Sequence, residues 1–140
     1  IDCVVSDHSP APLPVKRTGD FGTAWGGISG LQTQLPTLWT DARRRGAGLA
    51  DLARWQSEEP ARLAGLSRKG AIAVGRDADL VAWDPDATFV VDPERLLHRH
   101  PVSPWAGREL AGLVRVTWLR GRPVDTEGSP HGRLLGRDAP

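Results

Sequence analysis

A carboxylate and an imidazole stand side by side in Ser6-Asp7-His8-Ser9-Pro10, where a short, largely apolar run gives way to a proline-rich segment. A carboxylate is a hard anionic ligand for Zn²⁺ and a competent proton acceptor. In parallel α/β proteins such groups act at the carboxyl ends of strands. Asp7 is therefore the leading candidate for chemistry, although aspartate also caps turns and the Ser and Pro around it suit one. Adjacent strand residues point to opposite faces, so Asp7 and His8 do not easily share one metal in strand geometry. His8 then reads as a packing histidine or as one that supports a ligand from behind. His98-Arg99-His100 offers two more imidazoles at alternate positions. Two histidines are an incomplete zinc site. They also follow an expected helical turn at Asp92–Leu97 and precede Pro101 and Pro104, so a structural or interface segment is expected. Cys3 has no base beside it in sequence and reads as an inert thiol. Trp25-Gly26-Gly27-Ile28-Ser29-Gly30 lacks the spacing of a phosphate loop and follows a loop, which argues against nucleotide binding.

These candidates need elements to hold them. Residues 2–6, with β-branched Val4 and Val5, predict a buried strand that delivers Asp7. Residues 9–30 are rich in Pro and Gly and predict a long loop, of the kind that is functional or mobile. Leu31, Leu35, Leu38, Trp39 and Ala42 recur at helical spacing, and Pro36 should kink that helix or delay its start. Arg43, Arg44 and Arg45 fall in its last turn before Gly46, as a solvated helix end favoured by the macrodipole. A second helix is expected from about Leu49 to Ser57, burying Leu49, Leu52 and Ala53. A third opens at Pro60 and stops at Gly65. Strands are expected at Gly70–Gly75, Ala78–Asp84, Thr88–Val91 and Leu113–Leu119, with turns at Gly75-Arg76-Asp77 and Arg120-Gly121-Arg122. The chain thus divides into residues 1–65, 66–125 of mostly β character, and a polar tail over 126–140. A lone strand with helices cannot cover its own edges, so the first part looks incomplete and most of its site is expected upstream.

Composition narrows the partners. With 18 basic against 17 acidic residues the net charge is +1, which argues against a nucleic-acid or anionic-membrane surface. No apolar run approaches the roughly 20 residues of a membrane span, and no signal-peptide pattern opens the chain. The single cysteine excludes an internal disulfide and fits a reducing, cytoplasmic setting. The six Trp are dispersed and form no stacking ladder, so core packing is expected for most of them.

The ordered pieces Ser6–Pro10, Gly19-Asp20-Phe21, Ala24–Gln32, Pro60–Leu66, Lys69–Ile72, Gly75–Val81 and His98–Trp105 resemble the C-terminal part of cyclic amidohydrolases, most closely the allantoinase family. The resemblance implies an α/β fold: the end of a metal-dependent (β/α)8 barrel over residues 1–65 and C-terminal strands of a small β-sandwich over 66–125. It implies two Zn²⁺, or other divalent ions, with Asp7 as one ligand and the shuttling base. Ser9, Trp25, Gly26 and Gly27 would contact the substrate ring. The implied reaction is zinc-dependent hydrolysis of the cyclic amide of allantoin to allantoate in purine breakdown. The implied assembly is a homo-oligomer, a homotetramer by family habit. The family's paired histidines, carboxylated lysine and two further histidines are not in this sequence, so these residues alone are expected to be inactive. Hydantoinases and dihydropyrimidinases tend to carry Asn where Gly26 stands, and an acidic residue then Arg where Thr33 and Gln34 stand. Dihydroorotases usually have Glu at the Gln32 position. A hydantoinase-type enzyme and a non-catalytic scaffold of the same fold remain the alternatives.

Overall fold

The loop that follows Asp7 is the first thing the fold has to tame. The structure, a computed structural model, describes residues 1–136. The expected strand over 2–6 does not form. A strand needs a ladder, and here Val4 is satisfied otherwise. Its N–H donates to the Trp55 carbonyl at 2.9 Å, and its carbonyl accepts the Gln34 side-chain amide at 3.1 Å. A single antiparallel bridge, His8 with Ser29, is what the segment shows instead. The loop also contains one helical turn, α1 (Leu13–Lys16).

The first long helix, α2, runs Gln34–Arg44 rather than from Leu31. Pro36 explains the delay: in the first helical turn its missing N–H has no partner to lose. Trp39 and Ala42 face inward as expected, while Arg43 reaches the Pro85 carbonyl at 2.9 Å instead of ending freely in solvent. Next come α3 (Leu49–Ala53), a wide π-helical turn over Arg54–Glu58, and α4 (Glu59–Ala64), without a break between them. The second expected helix therefore has no separate end at Ser57. Of its three expected core residues only Leu52 is buried; Leu49 and Ala53 are exposed. The π turn contains the Trp55 carbonyl that holds Val4, a use of wide turns that recurs near functional segments.

The second part is a three-stranded antiparallel sheet in the order β1 (Leu80–Val90), β2 (Glu109–Leu119), β3 (Arg122–Pro123). Two of the expected strands are halves of β1. They are interrupted at 85–87, where Asp84 pairs with Leu113 and Thr88 with Ala111. Pro85 has no N–H for a ladder, and the Asp84 carboxylate accepts the N–H groups of Asp86 and Ala87, each at 3.1 Å. The strand expected at Gly70–Gly75 is absent; that stretch is turn and bend. Its glycines and alanines offer little to pack on a pleated surface. Residues 126–136 carry no helix or strand, and the last four residues of the expected tail lie outside the described residues.

One core joins both parts. Trp39, Leu52 and Ala111 are buried together, with Leu35, Leu38 and Trp83 packed around them. Trp39 meets Trp83 edge-to-face at 5.5 Å between ring centres and donates Nε1–H to the Pro85 carbonyl at 2.8 Å. Thr40 accepts the Ala111 N–H at 2.8 Å. Of the six tryptophans only Trp39 is fully buried; Trp25 is the exposed extreme, at 55%.

Where α4 hands over to the sheet, charges do the joining. Lys69 pairs with Asp77 at 2.8 Å and with Asp79, and Arg68 pairs with Asp77 at 2.9 Å. The Lys69 and Asp77 side chains are each only 15% exposed. Hydrogen bonds from Lys69 and then Arg68 hold Asp77 down to about 2, from an ordinary 3.8. The folded state thus prefers the carboxylate. The stability this gives is complete above pH 3.8 and is lost as pH falls through about 2. We expect the urea midpoint of the chain to drop across that acid window, and Asp77→Asn to flatten the drop while lowering the midpoint at neutral pH. An unchanged acid slope in the variant would assign the loss to other carboxylates.

Candidate active site

Asp7 sits at the rim, exposed, with its own neighbour as the first restraint: the His8 N–H donates to Oδ1 at 2.7 Å. The second carboxylate oxygen is left for other work. His8 is tied across the loop by its bridge to Ser29, and its Nδ1 accepts the Leu31 N–H at 3.5 Å, a long bond. Ser9 donates its N–H to the Ile28 carbonyl at 2.8 Å. The two ends of the long loop, 7–9 and 27–31, therefore run against each other.

Glycine is what permits that approach. Gly27 has φ +72, and a Cβ built there would lie 2.5 Å from Ser9 Cβ and 2.8 Å from Ser9 Oγ. A Cβ on Gly30 would lie 2.8 Å from the Asp7 carbonyl oxygen. Both contacts are closer than a real methyl group tolerates, so the Asp7 segment and the glycine loop can meet only without side chains at 27 and 30. Lys16, from α1, adds a tie with Nζ on the Gly27 carbonyl at 2.7 Å.

The structure thus brings Ser9 against Gly27 and the Asp7 backbone against Gly30. Gly26 is exposed, with open space where its side chain would be, and Trp25 is anchored through its N–H to the Val15 carbonyl at 2.8 Å. Neither is in hydrogen-bonded contact with Asp7 among the described residues.

Two participants come from farther along the chain. The His98 ring meets the His8 ring edge-to-face, 5.9 Å between centres at 76°. Beside it, the Leu97 N–H donates to Gln32 Oε1 at 2.7 Å. Both His98 ring nitrogens are buried and have no hydrogen-bond partner among the described residues. Burial, and then the neighbouring His8, lower its pKa below the usual imidazole value, which favours the neutral ring. Sequence reasoning weighed His98 with His100 as a metal pair and passed over its contact with His8. Nothing in the local spacing announces that contact, because 90 positions separate the two (8 to 98).

The described residues contain no group of three His, Cys, Asp or Glu side chains able to hold a metal ion. Asp7, exposed and with no hydrogen bond to its second oxygen among the described residues, fits one position of such a site and no more. Nor is any described helix long and apolar enough to cross a membrane.

Comparison with known proteins places this arrangement. The chain is 56% identical to an allantoinase of Streptomyces avermitilis over 99% of its own length and 32% of that protein's. It is 46% identical to an allantoinase of Arabidopsis thaliana over 91% of its length and 26% of that protein's. It therefore spans about a third or less of the curated relatives it matches. Among solved structures it is similar to an L-hydantoinase (dihydropyrimidinase) of Arthrobacter aurescens. The TM-score there is 0.82 and the identity 34%, over 92% of this chain and 30% of that one. A D-hydantoinase (dihydropyrimidinase) of Thermus sp. gives TM-score 0.79 and 31% identity, over 88% of this chain and 28% of that one. The family model described as the amidohydrolase family matches residues 12–125, and with more than half of its residues matched the chain belongs to the amidohydrolase family.

Proposed function

We propose that these 140 residues are the C-terminal part of an allantoinase, which opens the cyclic amide of allantoin with water to give allantoate. The observation that carries the reading is the 56% identity to an allantoinase over nearly the whole chain. In this reading residues 1–65 close the (β/α)8 barrel, 66–125 belong to the small β-sandwich, and 126–140 form a tail. Ile72 and Val74 support that division: almost fully exposed beside the sheet, they suit a surface that another layer covers.

Asp7 is the working residue in this proposal. Two Zn²⁺ ions, when bound, would lower the pKa of a water at the site, with Asp7 supplying one ligand. The Asp7 carboxylate accepts the proton released as water attacks the ring carbonyl, then returns it to the departing ring nitrogen. Its Oδ1 is already held by the His8 N–H, so the carboxylate is oriented before substrate arrives. Ser9, Gly27 and Gly26 offer main-chain groups to the ring, and the exposed Trp25 side chain offers it an apolar wall. A homo-oligomer in the cytoplasm completes the reading.

A hydantoinase-type enzyme is the second reading, favoured by the TM-scores of 0.79 and 0.82. Gly26, Thr33 and Gln34 speak for allantoin. Assays of the whole enzyme with allantoin, hydantoin and dihydrouracil decide: turnover of allantoin above the other two is the expected result, and preference for either of the others overturns it. The 140-residue chain alone is expected to bind zinc weakly by titration and to leave allantoin intact. Turnover by the isolated chain would show that the ligands needed lie within it.

A further inference from the structure

We propose that His98 is a positioning residue for the acid, acting through His8; the proposal rests on the reading of Asp7 as the proton carrier. The contacts form a short chain. Asp7 Oδ1 is held by the His8 N–H at 2.7 Å. The His8 ring in turn has two restraints: the Leu31 N–H on Nδ1, at a weak 3.5 Å, and the edge of contact with His98, 5.9 Å between centres. Ring pairs at this separation and angle attract beyond their area of contact. With one restraint weak, the aromatic contact is the main one. The His8 backbone is held by its bridge to Ser29, and the ring packed on His98 adds a second hold on the residue whose N–H Asp7 uses.

His98 is itself well placed to act as a stop. Leu97 is bonded to Gln32, so the turn carrying His98 is pinned to the same loop that brings Gly27 against Ser9. Its two ring nitrogens are buried and without hydrogen-bond partners among the described residues, which is a cost an apolar ring would not carry. The structure assigns the work to the shape of the ring and not to those nitrogens. His98 touches His8 and is a positioning residue, not a catalytic one.

Steady-state kinetics of the whole enzyme with allantoin test this. His98→Ala is expected to lower kcat about tenfold with KM within about twofold, because orientation of the acid is lost and binding is not. His98→Phe keeps the ring and removes the unpaired nitrogens, so it should hold kcat within about threefold and raise the melting temperature. The double variant His8→Ala/His98→Ala should be no slower than His8→Ala, since the effect passes through His8. Wild-type kcat in His98→Ala, equal damage in His98→Phe and His98→Ala, or additive losses would each overturn the proposal. Should His98→Ala fail to fold, His98→Leu fills the space without an aromatic edge and serves in its place. Asp7→Asn measured alongside separates the two ideas. An active Asp7→Asn removes the reading of the acid, whereas an inactive one beside a wild-type His98→Ala removes only the positioning role.

Discussion

Asp7→Asn in the whole enzyme is expected to cost about a thousandfold in kcat, within the span that positioned acid–base groups contribute, with little change in KM. Asparagine matches aspartate in size and keeps an Oδ1 that can accept the His8 N–H now 2.7 Å away. The loop should therefore fold as before. What is lost is the negative charge and the basicity, which are the properties that ligate a cation and carry a proton. Three measurements on one preparation separate these: kcat, zinc content by atomic emission, and the melting temperature. Loss of turnover with an unchanged melting temperature is the expected pattern. Turnover within tenfold of the parent would mean that Asp7 only shapes the turn, as aspartates often do.

Gly27→Ala is the second large effect, and it comes from geometry alone. The new methyl group would sit 2.5 Å from Ser9 Cβ, on a residue whose φ is +72. The backbone conformation costs a non-glycine residue about 1 kcal/mol, and the collision must move Ser9 or the loop by a large fraction of an ångström. Ser9 is hydrogen-bonded to Ile28 and follows His8 directly, so the shift is passed to the acid. A misplacement of this size costs about a hundredfold in kcat/KM. Gly26→Ala is the stability control: open space surrounds that position, so its melting temperature should stay that of the parent. Kinetics and melting of the two variants, side by side, check the prediction. A Gly27→Ala enzyme with wild-type kcat/KM would show that the loop does not need its close approach to Ser9.

Local chemistry made part of this legible in the sequence. Pro36 announced a late helix start, Gly65 a helix end, and the alternation around Val114 and Val116 a strand. Asp7 stood out because a carboxylate follows a β-branched pair. What was illegible depended on distant partners. Val4 and Val5 read as a strand by residue type, yet Val4 gives its N–H to Trp55 and accepts from Gln34. Asp84-Pro85-Asp86 read as a break between two strands, and the chain instead bulges and resumes the same ladder with Thr88 opposite Ala111. His98 was invisible as a neighbour of His8, since proximity across the fold leaves no period in the sequence. The substrate-facing roles of Ser9, Trp25, Gly26 and Gly27 rest on the family resemblance; geometry adds the close meeting of Ser9 and Gly27.

The indole of Trp39 has a consequence for how order is lost. Through Trp83 and the Pro85 carbonyl, it belongs as much to the sheet as to its own helix. A helix released from that sheet would expose Leu52 and strip Ala111 of its cover, so neither side gains by opening first. The backbone amides of α2 and of the paired part of β1 should therefore exchange with deuterium through one shared opening, with a common free energy, as members of a single foldon. The acid loop is outside that unit, because its ties to the rest are single hydrogen bonds and ring edges. Such a division lets Asp7 and Gly27 adjust around a ligand while the tryptophan pair keeps its registry.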